Sequence, residues 1–270
     1  MTEASISLDR AEPIDRTPRL ELRNISKSFG GVHALKNVDF AAYAGEVMGL
    51  VGDNGAGKST LIKTMSGAYV PDSGQILIDG QPVTIQSPQD STRLGIETVY
   101  QDLALCDNLD VVANLWLGRE AYRDLIPGVL RVLDETEMER QTIEVLRSLE
   151  VKIPSVRSAV ASLSGGQRQC IAVAKTILRR PKVVLLDEPT AALGVAQTRQ
   201  VLNLILRLKQ QGLAVVVISH NLHDVFEVTD RITVMRLGAQ IASFTTRDTT
   251  PETVVGSITG ASNAGAHDAV

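Results

Sequence analysis

The 270-residue chain has no excess of basic residues: 27 Lys and Arg stand against 31 Asp and Glu, a net charge of −4. A dedicated nucleic-acid binder carries a basic face, so no nucleic-acid partner is expected. Aromatics are scarce at 3%, which leaves a mostly aliphatic core. Two cysteines, Cys106 and Cys170, lie in no C-x-x-C or Cys/His cluster. That argues against a zinc site and predicts two reduced thiols. No run approaches the ~18 apolar residues that a spanning helix needs. The first 19 residues are polar and acidic with no apolar core, unlike a signal peptide. These absences predict a cytoplasmic protein that reaches a membrane only through a partner. Long charged runs and internal repeats are also missing, and 44% of residues are apolar, enough for a substantial core.

Residues 1–17 and 261–270 read as loose tails around one unit spanning 18–260. From Leu20 to about Ile85, short apolar runs (Val38 to Ala42, Val47 to Val51, Gln75 to Ile78) alternate with turn signals such as Asp79-Gly80. This predicts a small antiparallel layer with a glycine-rich loop embedded in it. The stretch of about 102–165 carries helical patterns, Asp110 to Leu117 and Glu135 to Leu149, and reads as a helical lobe. Beyond Leu163 the pattern becomes α/β. Val183 to Leu186 and Val215 to Ile218 are apolar throughout, as strands buried on both faces are. Helices are expected over Ile171 to Leu178 and Ala196 to Lys209. Ile232 to Met235 and Ile241 to Phe244 read as a closing hairpin, and Thr250-Pro251 starts a last helix.

Gly52-Asp53-Asn54-Gly55-Ala56-Gly57-Lys58-Ser59 matches G-x-x-x-x-G-K-[ST], with an apolar strand before it and a helical run from Thr60 after it. Phosphate oxygens are best held by several backbone N–H groups at once. Glycines allow that close approach, and the helix N-terminus adds donors and a favourable dipole. Lys58 supplies charge to the terminal phosphates. The Ser59 hydroxyl is a hard oxygen ligand suited to Mg²⁺. The bland alternative is a chance glycine turn.

Asp187 and Glu188 end the apolar run that starts at Val183. Ligands of parallel sheets bind at the carboxyl ends of strands. Asp187 is thus placed for Mg²⁺, and Glu188 for polarising an attacking water; alone, the two would read as a solvated carboxylate pair. Leu163-Ser164-Gly165-Gly166-Gln167 opens a helical run. Ser164 and Gln167 fit an S-x-x-Q capping box, yet a hydroxyl, two glycines and a helix N-terminus also make a second anion site. A chain with two anion sites and one lysine loop suits a nucleotide shared between two molecules.

The order of these segments, with LSGGQRQ at 163–169 and VVLLDEPT at 183–190, resembles the ATP-binding cassette superfamily over about Leu20 to Phe244. The resemblance implies an ABC-type P-loop NTPase fold: a RecA-like parallel-sheet core, an N-terminal antiparallel β subdomain and a helical subdomain. It implies ATP and Mg²⁺ as cofactors, ATP hydrolysis, and a homodimer in which Ser164, Gly165, Gly166 and Gln167 of one copy close on ATP held by residues Gly52 to Thr60 of the other. It further implies a Mg²⁺- and permease-linked role for Gln101, a γ-phosphate contact for His220, and adenine stacking for Phe29. Plain readings remain beside these: a polar loop residue, a structural histidine and a core aromatic. One position departs from the family pattern. Gly194 follows Ala191-Ala192-Leu193 where an aspartate is usual, and glycine cannot make that side-chain contact.

Residues 49–74, 97–120 and 187–202 resemble single-cassette subunits of bacterial monosaccharide importers of the fructose/ribose/xylose group. That implies transmembrane permease subunits, a periplasmic sugar-binding protein and a place on the inner face of the membrane. A cassette for another solute, an exporter cassette and a soluble non-transport ATPase are the alternatives. The last class usually brings a second cassette, a basic linker or long coiled coils, all missing here.

Overall fold

The computed structural model describes residues 17–126 and 130–261. The predicted tails therefore lie, except for residues 17 and 261, outside the described residues. In chain order the strands are β1 (Leu20–Phe29), β2 (Val32–Ala42), β3 (Glu46–Val51), β4 (Ser73–Ile78), β5 (Gln81–Val83), β6 (Ile96–Val99), β7 (Tyr122–Ile126), β8 (Leu130–Leu133), β9 (Val183–Asp187), β10 (Ala214–Ile218), β11 (Arg231–Arg236) and β12 (Ala239–Thr245). The helices are α1 (Lys58–Met65), α2 (Pro88–Arg93), α3 (Val111–Trp116), α4 (Glu135–Ser148), α5 (Gly165–Ile177), α6 (Val195–Gln210), α7 (Leu222–Val228) and α8 (Pro251–Thr259).

Two sheets carry the fold. One is antiparallel, in the order β2-β1-β4-β5. The other has the order β12-β11-β3-β10-β9-β6, parallel except at the antiparallel β12 edge. The loop-bearing strand β3 belongs to the parallel sheet, not to the antiparallel layer in which the sequence pattern embeds it.

The apolar strands are buried on both faces, and alternate residues serve different cores. Leu185, Val216 and Ile218 face a core shared with Leu20, Leu22 and Ile25 of β1 and Leu61, Ile62 and Met65 of α1. Val184, Leu186, Val215 and Val217 face a second core with Ile171 of α5, Val201 and Ile205 of α6, and Leu146 of α4. This division explains why β9 and β10 show continuous apolar runs rather than alternation.

Most expected elements appear, with ends shifted by a few residues. The 102–165 lobe differs. It contains α3 and α4, capped by Asp110 and Asp134, whose carboxylates accept from Ala113 and Glu137 N–H. Between them, however, lies an antiparallel hairpin, β7–β8, pairing Tyr122 with Leu133 and Asp124 with Arg131. The lobe is therefore not all-helical.

Candidate functional site

Four neighbouring parallel strands, β6, β9, β10 and β3, end on one edge of the sheet, with Leu50, Ile218 and Asp187 in register. The segments leaving that edge begin at Tyr100, Glu188, Ser219 and Gly52. Four stretches far apart in sequence thus arrive together at the carboxyl edge of the sheet.

The glycine-rich loop turns back at Gly52, with φ +150°, and Gly57, with φ +104°. A side chain at Gly52 would collide with the Met235 carbonyl, and a Cβ at Gly57 would sit 2.8 Å from Ala34 O. Both positions thus need glycine for conformation and for space. Gly57 then caps α1, whose first residue is Lys58. The Lys58 ammonium folds onto the loop, donating to Gly52 O at 2.6 Å and Asp53 O at 3.0 Å. Burial lowers its pKa from the ordinary lysine value, opposed by the charges of Glu188, Asp53 and Asp187. A buried cation facing these carboxylates and open backbone is suited to receive an anion.

The loop opens onto a cleft of ≈ 650 Å³ lined by Asn54 to Thr60 and, opposite them, by Val32, His33, Lys36 and Leu237. The sequence reading placed none of that second group in the site, taking His33 as structural or solvated. The β11–β12 turn holds the loop: Gly238 N donates to Ala56 O at 3.1 Å, and Lys36 N to Gly238 O at 2.8 Å. A turn between two late strands gives no sequence signal for such a contact.

Asp187 ends β9, against which α1 packs. Desolvation raises its pKa above the ordinary carboxylate value, and the Glu188 charge adds to this; Lys63 and Lys58 pull the other way. Glu188 is a non-glycine residue at φ +51°. Its N–H donates to Ile218 O at 3.0 Å. Its Oε2 lies 2.8 Å from Nδ1 of His220, whose side chain is 72% exposed while that of Glu188 is 16% exposed. The structure thus brings together Lys58, Asp187, Glu188 and His220.

The remaining candidates sit apart from the cleft lining. Ser164 caps α5 by accepting from Gln167 N at 3.3 Å, while Gln167 Oε1 accepts from Ser164 N at 3.0 Å, so the reciprocal capping box forms. Ser164 and Gly165 are exposed, and Gly166 packs on α6: a Cβ there would meet Gln197 Cβ at 2.9 Å. Gln101 is exposed just beyond β6, beside Tyr100, whose hydroxyl donates to Ser66 Oγ at 2.8 Å. Phe29 is 44% exposed and is no core aromatic. Its ring meets Tyr69 edge-on at 5.0 Å with Lys27 Nζ 5.6 Å from its centre, leaving the ring open to a stacking partner. Tyr69 and Lys27 were not foreseen.

No group of three or more His, Cys, Asp or Glu capable of holding a metal occurs among the described residues. The oxygen donors Ser59 and Asp187 instead suit a cation that takes its remaining ligands from phosphate and water.

The loop, the adjoining carboxylate pair and the separate exposed helix N-terminus are an arrangement suited to phosphate. Residues 35–191 match the ABC transporter family. The chain belongs to that family. It is 46% identical over 249 residues to the fructose import ATP-binding protein FrcA of Rhizobium meliloti, covering 90% of this chain and 95% of that protein. It is 47% identical to ribose import ATP-binding protein RbsA 1 of Rubrobacter xylanophilus over 82% of this chain, but spans only 43% of that relative's length. Among solved structures, the dimeric post-hydrolysis state of an ATP-binding cassette bound to ADP and Pi superposes with a TM-score of 0.68 at 26% identity, covering 84% of this chain and 99% of that one.

Proposed function

We propose that this chain binds and hydrolyses ATP to drive import of a monosaccharide through separate transmembrane permease subunits. The carrying observation is Glu188 held against His220 at the sheet edge that also bears Lys58 and Asp187. Residues Gly52 to Thr60 hold the phosphates, Lys58 swinging from its carbonyl contacts to the terminal oxygens. Ser59, Asp187 and Gln101 would hold Mg²⁺, which would supply charge neutralisation to the phosphates. Glu188 takes the proton of the attacking water, and His220 orients Glu188 and the γ-phosphate. Phe29 stacks on adenine. Ser164, Gly165, Gly166 and Gln167 of a second copy complete the site, so the working unit is a homodimer. The dimeric cassette with ADP and Pi supports this arrangement.

No helix among the described residues is long and apolar enough to cross a membrane. The chain accordingly docks on the inner face through its permease, fed from the far side by a periplasmic sugar-binding protein. The cassette is taken to span 18–260 with its helical lobe over 102–165. The similarity to FrcA along almost its whole length supports the sugar reading.

Copurification from membranes with a permease, followed by ATPase assay in vesicles with a sugar-loaded binding protein, tests this function. Stimulation by one monosaccharide is expected. Recovery with ribosomes, or without any membrane protein, contradicts it.

A further inference from the structure

Two residues outside the set assigned above link the segments that carry Glu188 and His220. Thr190 Oγ1 donates to Asp224 Oδ2 at 2.7 Å. Thr190 stands two residues past Glu188, within the turn closed by Ala191 N donating to Glu188 O at 3.1 Å. Asp224 is only 6% exposed and sits in the first turn of α7, the helix that starts directly after His220 and its cap Asn221.

Two features mark this bond as more than packing. The Asp224 carboxylate is buried, and Thr190 is its sole hydrogen-bond partner among the described residues. Burying a carboxylate is costly and is tolerated only with a partner in place. The turn that Thr190 belongs to also holds Glu188 in the left-handed region at φ +51°, with Ala192 likewise at +58°. Side chains with a Cβ avoid that region unless their surroundings enforce it. The Glu188 N–H bond to Ile218 O fixes one end of the turn; the Thr190 hydroxyl fixes the other.

We propose that Thr190 and Asp224 are positioning residues that keep the Glu188 carboxylate aimed at the attacking water and against His220. This rests on the proposed function, in that Glu188 acts on water. Loss of the bond lets Glu188 relax from its left-handed backbone, and its carboxylate leaves the 2.8 Å contact with His220. Misplacement by about 1 Å costs on the order of 10²-fold in rate.

The test is steady-state ATP hydrolysis by the full chain with its permease. It compares wild type, Thr190→Val, Thr190→Ser, Asp224→Ala and the Thr190→Val/Asp224→Ala double variant, each below its own melting transition. Thr190→Val is expected to lower kcat roughly 10- to 100-fold with the KM for ATP within about twofold of wild type. Thr190→Ser, which keeps the hydroxyl, should recover most of the rate, and the double variant should be no slower than the worse single one. A Thr190→Val enzyme with wild-type kcat, or with its loss confined to KM or to melting temperature, overturns the proposal. So does a Thr190→Ser enzyme as slow as Thr190→Val. Wild type that hydrolyses no ATP removes the proposed function and this inference with it.

Discussion

Glu188 and Asp187 are adjacent carboxylates in different surroundings. Glu188 borders a largely exposed histidine, whereas desolvation and the neighbouring charge of Glu188 raise the pKa of Asp187. Folding therefore disfavours the ionised form of Asp187 relative to the unfolded chain. The stability it lends is present at pH below the ordinary carboxylate value and is lost as pH rises through the raised native value. At neutral pH an ionised Asp187 is a net cost. Asp187→Asn should therefore melt higher than wild type near pH 7 without nucleotide, and this advantage should shrink towards pH 4. Melting curves at the two pH values check it; an unchanged or lower melting temperature at pH 7 contradicts it. For Glu188, replacement by Gln keeps the shape but removes the base. Turnover should fall by roughly 10²-fold or more while ATP binding, read by equilibrium dialysis, stays. Wild-type turnover in that variant would take Glu188 out of its role.

Helix ends position the rest of the site. Ser164 caps α5, so Ser164→Ala should cost about 1 kcal/mol of stability, measured by denaturant unfolding; no measurable cost would mean that the capping box carries no load. Gly194 caps α6 with φ −74°, and a Cβ there meets nothing within 4 Å. Gly194→Asp should therefore fold normally and gain a few tenths of a kcal/mol through a capping carboxylate. A destabilised variant would show that something crowds this position.

At this scale the sequence was informative where apolar periodicity or a cap set the element. The continuous runs of β9 and β10 and Thr250 before α8 were legible, because local chemistry decides them. The β7–β8 hairpin was not. Tyr122, Leu125, Ile126, Leu130 and Leu133 are all exposed, so no inward-outward alternation announced strands. The assignment of β3 to the parallel sheet depends on pairing with β10 and β11, which lie more than 160 residues away and leave no local trace.

For the whole molecule, the motifs singled out the glycine-rich loop, the carboxylate pair and the LSGGQ segment as candidates, because each combines particular residue types at fixed spacing. They did not give the cleft's second wall, Val32, His33, Lys36 and Leu237, or the Thr190–Asp224 bond. Those depend on how separate segments meet. The two candidate anion-binding segments lie in different places. The loop lies in the cleft, while Ser164 and Gly165 are exposed at the start of α5, outside the cleft lining. In the proposed function a single copy presents only part of a reaction centre, and ATP bound between two copies completes each site.

The most direct measurement of that claim is the molar mass of Glu188→Gln in solution, by light scattering, with and without Mg²⁺ and ATP. The account predicts a shift from monomer to twice the monomer mass when ATP is present, abolished by the further change Lys58→Ala. A protein that binds ATP yet keeps the monomer mass would contradict it.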